Sequence, residues 1–153
     1  LKAILKRVTE CARGAARSTG TKLRVKKIPI EYAPMRTNSA LASLFKNNLE
    51  NLGIFEPVPL PPLQMGSSDV GNASQKTPTI HPEIKMVAPD VSAHTHAFAK
   101  AAGGQAGRKT LILGAKSLAM TGIDILLNKK AREQVRTEFR SETNHANRPK
   151  ANR

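Results

Sequence analysis

The chain has 153 residues, 39% hydrophobic and only 3% aromatic, with 25 Lys and Arg against 11 Asp and Glu for a formal net charge of +14. That length serves one domain or parts of two, and the core must be aliphatic. A basic excess attracts anions in general, but Lys and Arg are spread over most segments and four of the five aromatic residues sit in apolar patterns. That excludes a base-stacking platform of the single-strand-binding kind. The lone Cys11 cannot form an internal disulfide, which fits a reducing, cytoplasmic compartment. No apolar run approaches the ~20 residues that span a bilayer, so no membrane partner is expected. The chain opens on Leu1, inside a helical pattern, as a fragment would.

Residues 1–19 read as an amphipathic helix. Leu1, Ile4, Leu5 and Val8 lie at helical spacing, and Ala12, Ala15 and Ala16 continue the stripe. Gly20 supplies a C-terminal cap. Residues 21–32 read as a strand in which Leu23 and Val25 alternate with Lys22, Arg24 and Lys26. A bulge near Lys26-Lys27 accounts for the later shift of phase, and Pro29 makes an edge or an exit. Asn38 and Ser39 open a second helix with the stripe Leu41, Leu44, Phe45, Leu49 and Leu52, which Gly53 stops.

Residues 56–63 form a proline-rich, extended connector. Residues 66–75 form a small polar loop. Residues 78–88 read as a strand interrupted by Pro82, and Ala93 to Phe98 as a histidine-bearing turn. Residues 104–107 break the pattern. The strongest helix covers residues 108–127, with Leu111, Ala115, Leu118, Ala119, Gly122, Ile123 and Leu126 on one stripe. A last helix, about 129–140, carries Ala131, Val135 and Phe139, and a polar, disordered tail starts at Ser141.

Few residues could carry chemistry. His94 is a candidate zinc ligand, because neutral imidazole is the commonest one. A hydrogen-bonded structural histidine is the bland alternative, since a zinc site needs three or four ligands. His96, two residues on, would point the same way on an extended segment. His81 lies between Ile80 and Pro82 near a strand end and could face a cleft. In the Gly66–Asn72 loop, Ser68 or Asp69 could cap a short helix, and the free N–H groups could hold a substrate carboxylate. Asn38, beside Arg36, could serve a carboxylate or be an ordinary N-cap. Elsewhere there is no His-x-x-x-His, Cys-x-x-Cys or His-x-Asp, and no Glu-Glu pair for a catalytic base. The segment alone cannot assemble a metal centre.

Gly66-Ser67-Ser68-Asp69-Val70-Gly71-Asn72-Ala73-Ser74, then Pro78-Thr79-Ile80-His81-Pro82, then His94-Thr95-x-x-Phe98, then Ala115 to Asp124 follow one another in an order that resembles family 20 of the zinc metallopeptidases (aminoacylase and carboxypeptidase G-like). Within it the chain is most similar to the branch of aminobenzoyl-glutamate hydrolase-like amidohydrolases and beta-alanyl dipeptidase-like proteins. The resemblance covers about residues 1–140. It implies the C-terminal part of an α/β protein. Residues 1–33 would end an α/β ferredoxin-like lid that mediates a homodimer. Residues 34–140 would belong to a three-layer α/β/α catalytic domain, followed by a disordered basic tail at 141–153.

The resemblance further implies two zinc ions in the complete protein, with His94 in the place of the last ligand. Asn38, Ser68, Asp69 and His81 would lie near the substrate. The implied reaction is hydrolysis of an amide bond in a small N-acyl amino acid or dipeptide, in which zinc activates a water and a glutamate moves the proton. The remaining ligands and that glutamate would lie upstream of Leu1, leaving this chain inactive alone. Two alternatives remain: a non-catalytic paralogue that keeps the dimer, and a basic nucleic-acid-binding module.

Overall fold

A computed structural model describes residues 2–26, 28, 31–55 and 68–146, with the side chains described as far as Ser141. The chain divides into two compact units, Leu1–Glu31 and Tyr32–Arg153. The first holds helix α1 (Lys2–Thr19). The second holds α2 (Ser39–Asn51), α3 (Val70–Ser74), α4 (His96–Gly103), α5 (Gln105–Leu127) and α6 (Lys129–Ala146).

Local chemistry sets most of the boundaries. The Asn38 side chain accepts the Leu41 N–H and so starts α2. Thr95 does the same for α4 through the Phe98 N–H. At the other ends, Gly20 (φ +67°) follows α1 and Gly53 (φ +80°) follows α2. Each permits a left-handed turn in which the next residue's N–H reaches back, Thr21 to the Ala16 carbonyl at 2.9 Å and Ile54 to that of Leu49 at 3.0 Å. Both stops are where the sequence puts them. The tail is not: residues 141–146 continue α6, and the tail beyond lies outside the described residues.

In the second unit α2, α4 and α6 pack on α5, and α2 packs on α6. Phe45 and Leu49 of α2 and Ala131 and Val135 of α6 form the buried apolar core, as their spacing predicts. α5 is inverted with respect to its predicted stripe. Leu111, Ala115, Leu118, Ala119, Gly122, Ile123 and Leu126 are all exposed, and the residues α5 buries are Ser117 and Thr121. These hydroxyls can be buried because each donates within the helix, Ser117 to the Leu113 carbonyl at 2.9 Å and Thr121 to that of Ser117 at 2.7 Å. Asn48 of α2 adds bonds from its Nδ2 to Thr121 Oγ1 at 3.1 Å and to Asp124 Oδ2 at 2.7 Å. A polar seam thus locks α2 on α5. At 23 residues, α5 is also long and apolar enough to cross a membrane, which the count of uninterrupted apolar residues missed.

The expected fold class is overturned. Among the described residues there is no strand, so neither a three-layer α/β/α domain nor an α/β ferredoxin-like lid is formed; the only pairing among them is one parallel bridge between Thr37 and Thr79. Residues 21–26 have no regular structure, and Leu23 and Val25 are 41% and 56% exposed. A helix closes its hydrogen bonds within four residues. A strand must find a neighbour, and alternation alone provides none. Residues 78–88 fail for the same reason beyond the Thr79 bridge. The proposed bulge at Lys27 and exit at Pro29, and the connector at 56–63, lie outside the described residues.

Candidate functional site

Asn38 sits at the meeting point of three segments and is 2% exposed. Its Oδ1 accepts the Leu41 N–H at 2.9 Å, its Nδ2 donates to the Val135 carbonyl of α6 at 3.0 Å, and its backbone N–H donates to the Thr79 carbonyl at 3.0 Å. Both ends of the amide are engaged inside the fold. Nearby, the Arg36 guanidinium lies 5.4 Å from the centroid of the Phe139 ring, a cation–π geometry.

α2 has no acidic residue in its first turn, so it lacks the usual intrahelical partner for its free N–H groups. Glu138 of α6 fills that role from another helix. Its carboxylate accepts the Ser39 N–H at 2.6 Å and the Ala40 N–H at 2.8 Å. Burial pushes its pKa up, but the hydrogen bonds from Ala40 and Ser39 together outweigh that, and the carboxyl is held below its ordinary value.

The small polar loop becomes the short helix α3. Ser68 is half-buried, and its Oγ accepts the Val70 N–H at 3.2 Å. Asp69 is exposed and makes no side-chain cap; its carbonyl accepts the Asn72 N–H at 2.8 Å. Of the two, Ser68 rather than Asp69 makes the capping bond, while Gly66 and Ser67 lie outside the described residues. α3 seats against residues 33–36. Asn72 Oδ1 accepts the Ala33 N–H at 2.6 Å, and the fully buried Ser74 Oγ accepts the Arg36 N–H at 2.9 Å. Gly71 allows this approach, because a Cβ there would overlap the Ala33 carbonyl oxygen. The fold therefore gathers Asn38, the Ser68–Ser74 turn and Thr79, which leads to His81. His81 itself is exposed.

His94 is exposed in the turn before α4 and has φ +64°, the single non-glycine residue at positive φ among the described residues. Histidine is enriched in this region of backbone space, which still costs of order 1 kcal/mol. Thr95 fixes the turn by donating to the Ser92 carbonyl at 2.8 Å and capping α4. His96 is the first residue of α4 and is exposed, so the two imidazoles do not share an extended segment.

Among the described residues no three His, Cys, Asp or Glu side chains gather closely enough to hold a metal ion. His94 can offer one ligand, and the described residues do not by themselves fit a zinc centre. Sequence reasoning missed Glu138 and the Asn48–Thr121–Asp124 seam. A signal for Glu138 existed: α2 opens with Asn38-Ser39 but has no Glu three residues after the cap. Nothing local marks which acid fills that gap.

No family model matches the chain. Over 143 residues, 92% of this chain, it is 34% identical to the Xaa-Arg dipeptidase of Mus musculus, covering 33% of that protein. Over 142 residues it is 29% identical to the Xaa-Arg dipeptidase of Homo sapiens, covering 32% of it. The chain spans about a third of the length of the curated relatives it matches. Almost the whole chain is thus similar to a part of these dipeptidases.

Proposed function

We propose that this chain is part of a zinc-dependent dipeptidase or amidohydrolase, and that by itself it hydrolyses nothing. The observation that carries this reading is the 34% identity to a dipeptidase along 92% of the chain. The substrate is a dipeptide, with arginine as its second residue if the relatives' specificity is shared, or a related small N-acyl amino acid. His94 supplies one zinc ligand, exposed and held in a fixed turn. Asp69 and His81, both exposed, and Ser68 face the substrate. Asn38 acts through the segments it ties together, as a positioning residue. The same reading takes the parent protein as a cytoplasmic homodimer with two zinc ions. No catalytic step is assigned to the residues described, since they do not assemble the metal centre.

Zinc calorimetry on the chain tests the ligand assignment. Weak binding that His94→Ala abolishes and His96→Ala leaves intact is the expected result. Tight binding that survives loss of His94 refutes it, and turnover of Xaa-Arg dipeptides by the chain alone refutes the claim of inactivity.

One observation favours a second reading. Lys2, Lys6, Arg13 and Arg17 share one face of α1 with Glu10, which pairs with Arg13, opposite the exposed Ile4, Leu5 and Val8. This is the clustering that a nucleic-acid-binding surface needs. Such a surface binds RNA or DNA with an affinity that falls steeply with salt; binding that is absent at low salt removes this reading.

A further inference from the structure

Helix α1 buries none of its residues. Ile4, Leu5 and Val8 are 42–63% exposed, and Cys11, Ala12 and Ala15 continue their side of the helix. The other side is basic. Lys2, Lys6, Arg7, Arg13 and Arg17 stand against one acid, Glu10, which pairs with Arg13. The segment that follows mixes the same two kinds of group. There the exposed Leu23 and Val25 alternate with Lys22, Arg24 and Lys26. Apolar and cationic groups are thus both open to solvent, on separate sides of one short helix.

We propose that α1 docks on an anionic lipid surface and lies in its plane. A bilayer need not be crossed to be bound. A basic amphipathic helix sinks its apolar side about 5–10 Å, to the boundary of headgroups and acyl chains. Ile4, Leu5 and Val8 leave water there. The long stems of Lys and Arg let their charged heads reach the lipid phosphates from the flanks. Arg7 borders the apolar stripe next to Cys11, four positions on, and Lys2 borders it next to Leu5, three positions on. Each cation held near such a surface tightens binding roughly fivefold.

Charge complementarity selects this occupant over two others. A nucleic acid engages the cations and leaves Ile4, Leu5 and Val8 in water. A second copy covers those three side chains with three more, far less apolar surface than a stable dimer buries. It also brings two basic helices together, which like charges oppose. An anionic lipid surface takes both sides of α1 at once. This docking is independent of the dipeptidase reading.

Tryptophan fluorescence tests it. The chain has no tryptophan, so Val8→Trp reports from α1 alone, and Ile4→Trp is a second placing. Ala3→Trp, exposed on the opposite side, is the control. None of the three replaces a buried residue. Each variant is titrated with vesicles of phosphatidylserine mixed with phosphatidylcholine, and with vesicles of phosphatidylcholine alone. The emission of Val8→Trp and Ile4→Trp is expected to shift to the blue, and that of Ala3→Trp to stay. Binding should be about tenfold tighter, or more, to the anionic vesicles. Adding Lys6→Gln and Arg7→Gln to Val8→Trp should weaken that binding about tenfold or more.

Equal binding to both kinds of vesicle overturns the proposal. So does vesicle binding without the blue shift, which puts the contact elsewhere on the chain. Emission already blue-shifted without lipid overturns it too, since α1 is then covered. A shift that grows with concentration assigns the cover to a second copy, and one that does not assigns it to the chain itself. Binding of an RNA duplex with no binding to vesicles gives the cations to nucleic acid and likewise sinks the proposal.

Discussion

Asn38→Ala is expected to destabilise the chain by about 2–3 kcal/mol, the sum of a lost N-cap and a lost buried hydrogen bond. The cap is the bond from the Leu41 N–H to Oδ1, and the second bond runs from Nδ2 to the Val135 carbonyl. Replacement by Ala also leaves the Val135 carbonyl of α6 without that partner in a buried place. The decisive comparison is Asn38→Asp. Asp is as good an N-cap as Asn, so if capping were all that mattered this variant would be near neutral. Aspartate has no N–H to offer, however, and would set a carboxylate oxygen against the Val135 carbonyl. Urea denaturation should therefore find Asp no better than Ala. An Asp variant as stable as the parent would show that the bond to α6 contributes nothing.

Glu138→Gln should cost about 1–2 kcal/mol near neutral pH, since it removes the charge that two helix N-terminal N–H groups face. Glu138 is only half-buried, so solvent screening favours the lower end of that range. The sign with pH follows from its depressed pKa. The folded chain favours the charged carboxylate, so the stabilisation is fully present above the unfolded glutamate's value of 4.5. It is lost as the pH falls through the lower, folded value. Denaturation midpoints of the parent and variant chains should thus differ at pH 7 and converge progressively as the pH drops below about 4.5. A difference that stays constant across the series would mean that charge at Glu138 is not what holds the start of α2.

The main helices and their ends were legible because they rest on bonds between near neighbours. Asn38 caps at a distance of three residues, and Gly20 and Gly53 close turns spanning five, whereas α4 with its Thr95 cap stands where the sequence reads as a histidine-bearing turn, and α5 starts at Gln105 inside the expected break at 104–107. The inward sides of α2 and α6 also followed from spacing, since Phe45, Leu49, Ala131 and Val135 do form the core. The candidate site was legible only in part. His94 could be singled out by type and order, and its left-handed backbone could not. Asn38 was visible as a cap, whereas its hold on Val135, 97 positions away, was not.

What the sequence determined by itself, then, is local: the stretches where the backbone can satisfy itself by coiling, and the residues that start and stop the coils. Tertiary structure decided everything that needs a distant partner. It left the alternating residues 21–26 unpaired, because a strand cannot complete its own hydrogen bonds. It chose Glu138 to cap a helix that lacks its own acid. It also turned the apolar stripe of α5 outward, because the Ser117 and Thr121 hydroxyls donate to carbonyls of their own helix while Asn48 of α2 donates to Thr121 Oγ1 and Asp124 Oδ2 across the α2–α5 contact. Apolar spacing tells that a helix has a sticky side; only the surrounding chain decides which side is covered.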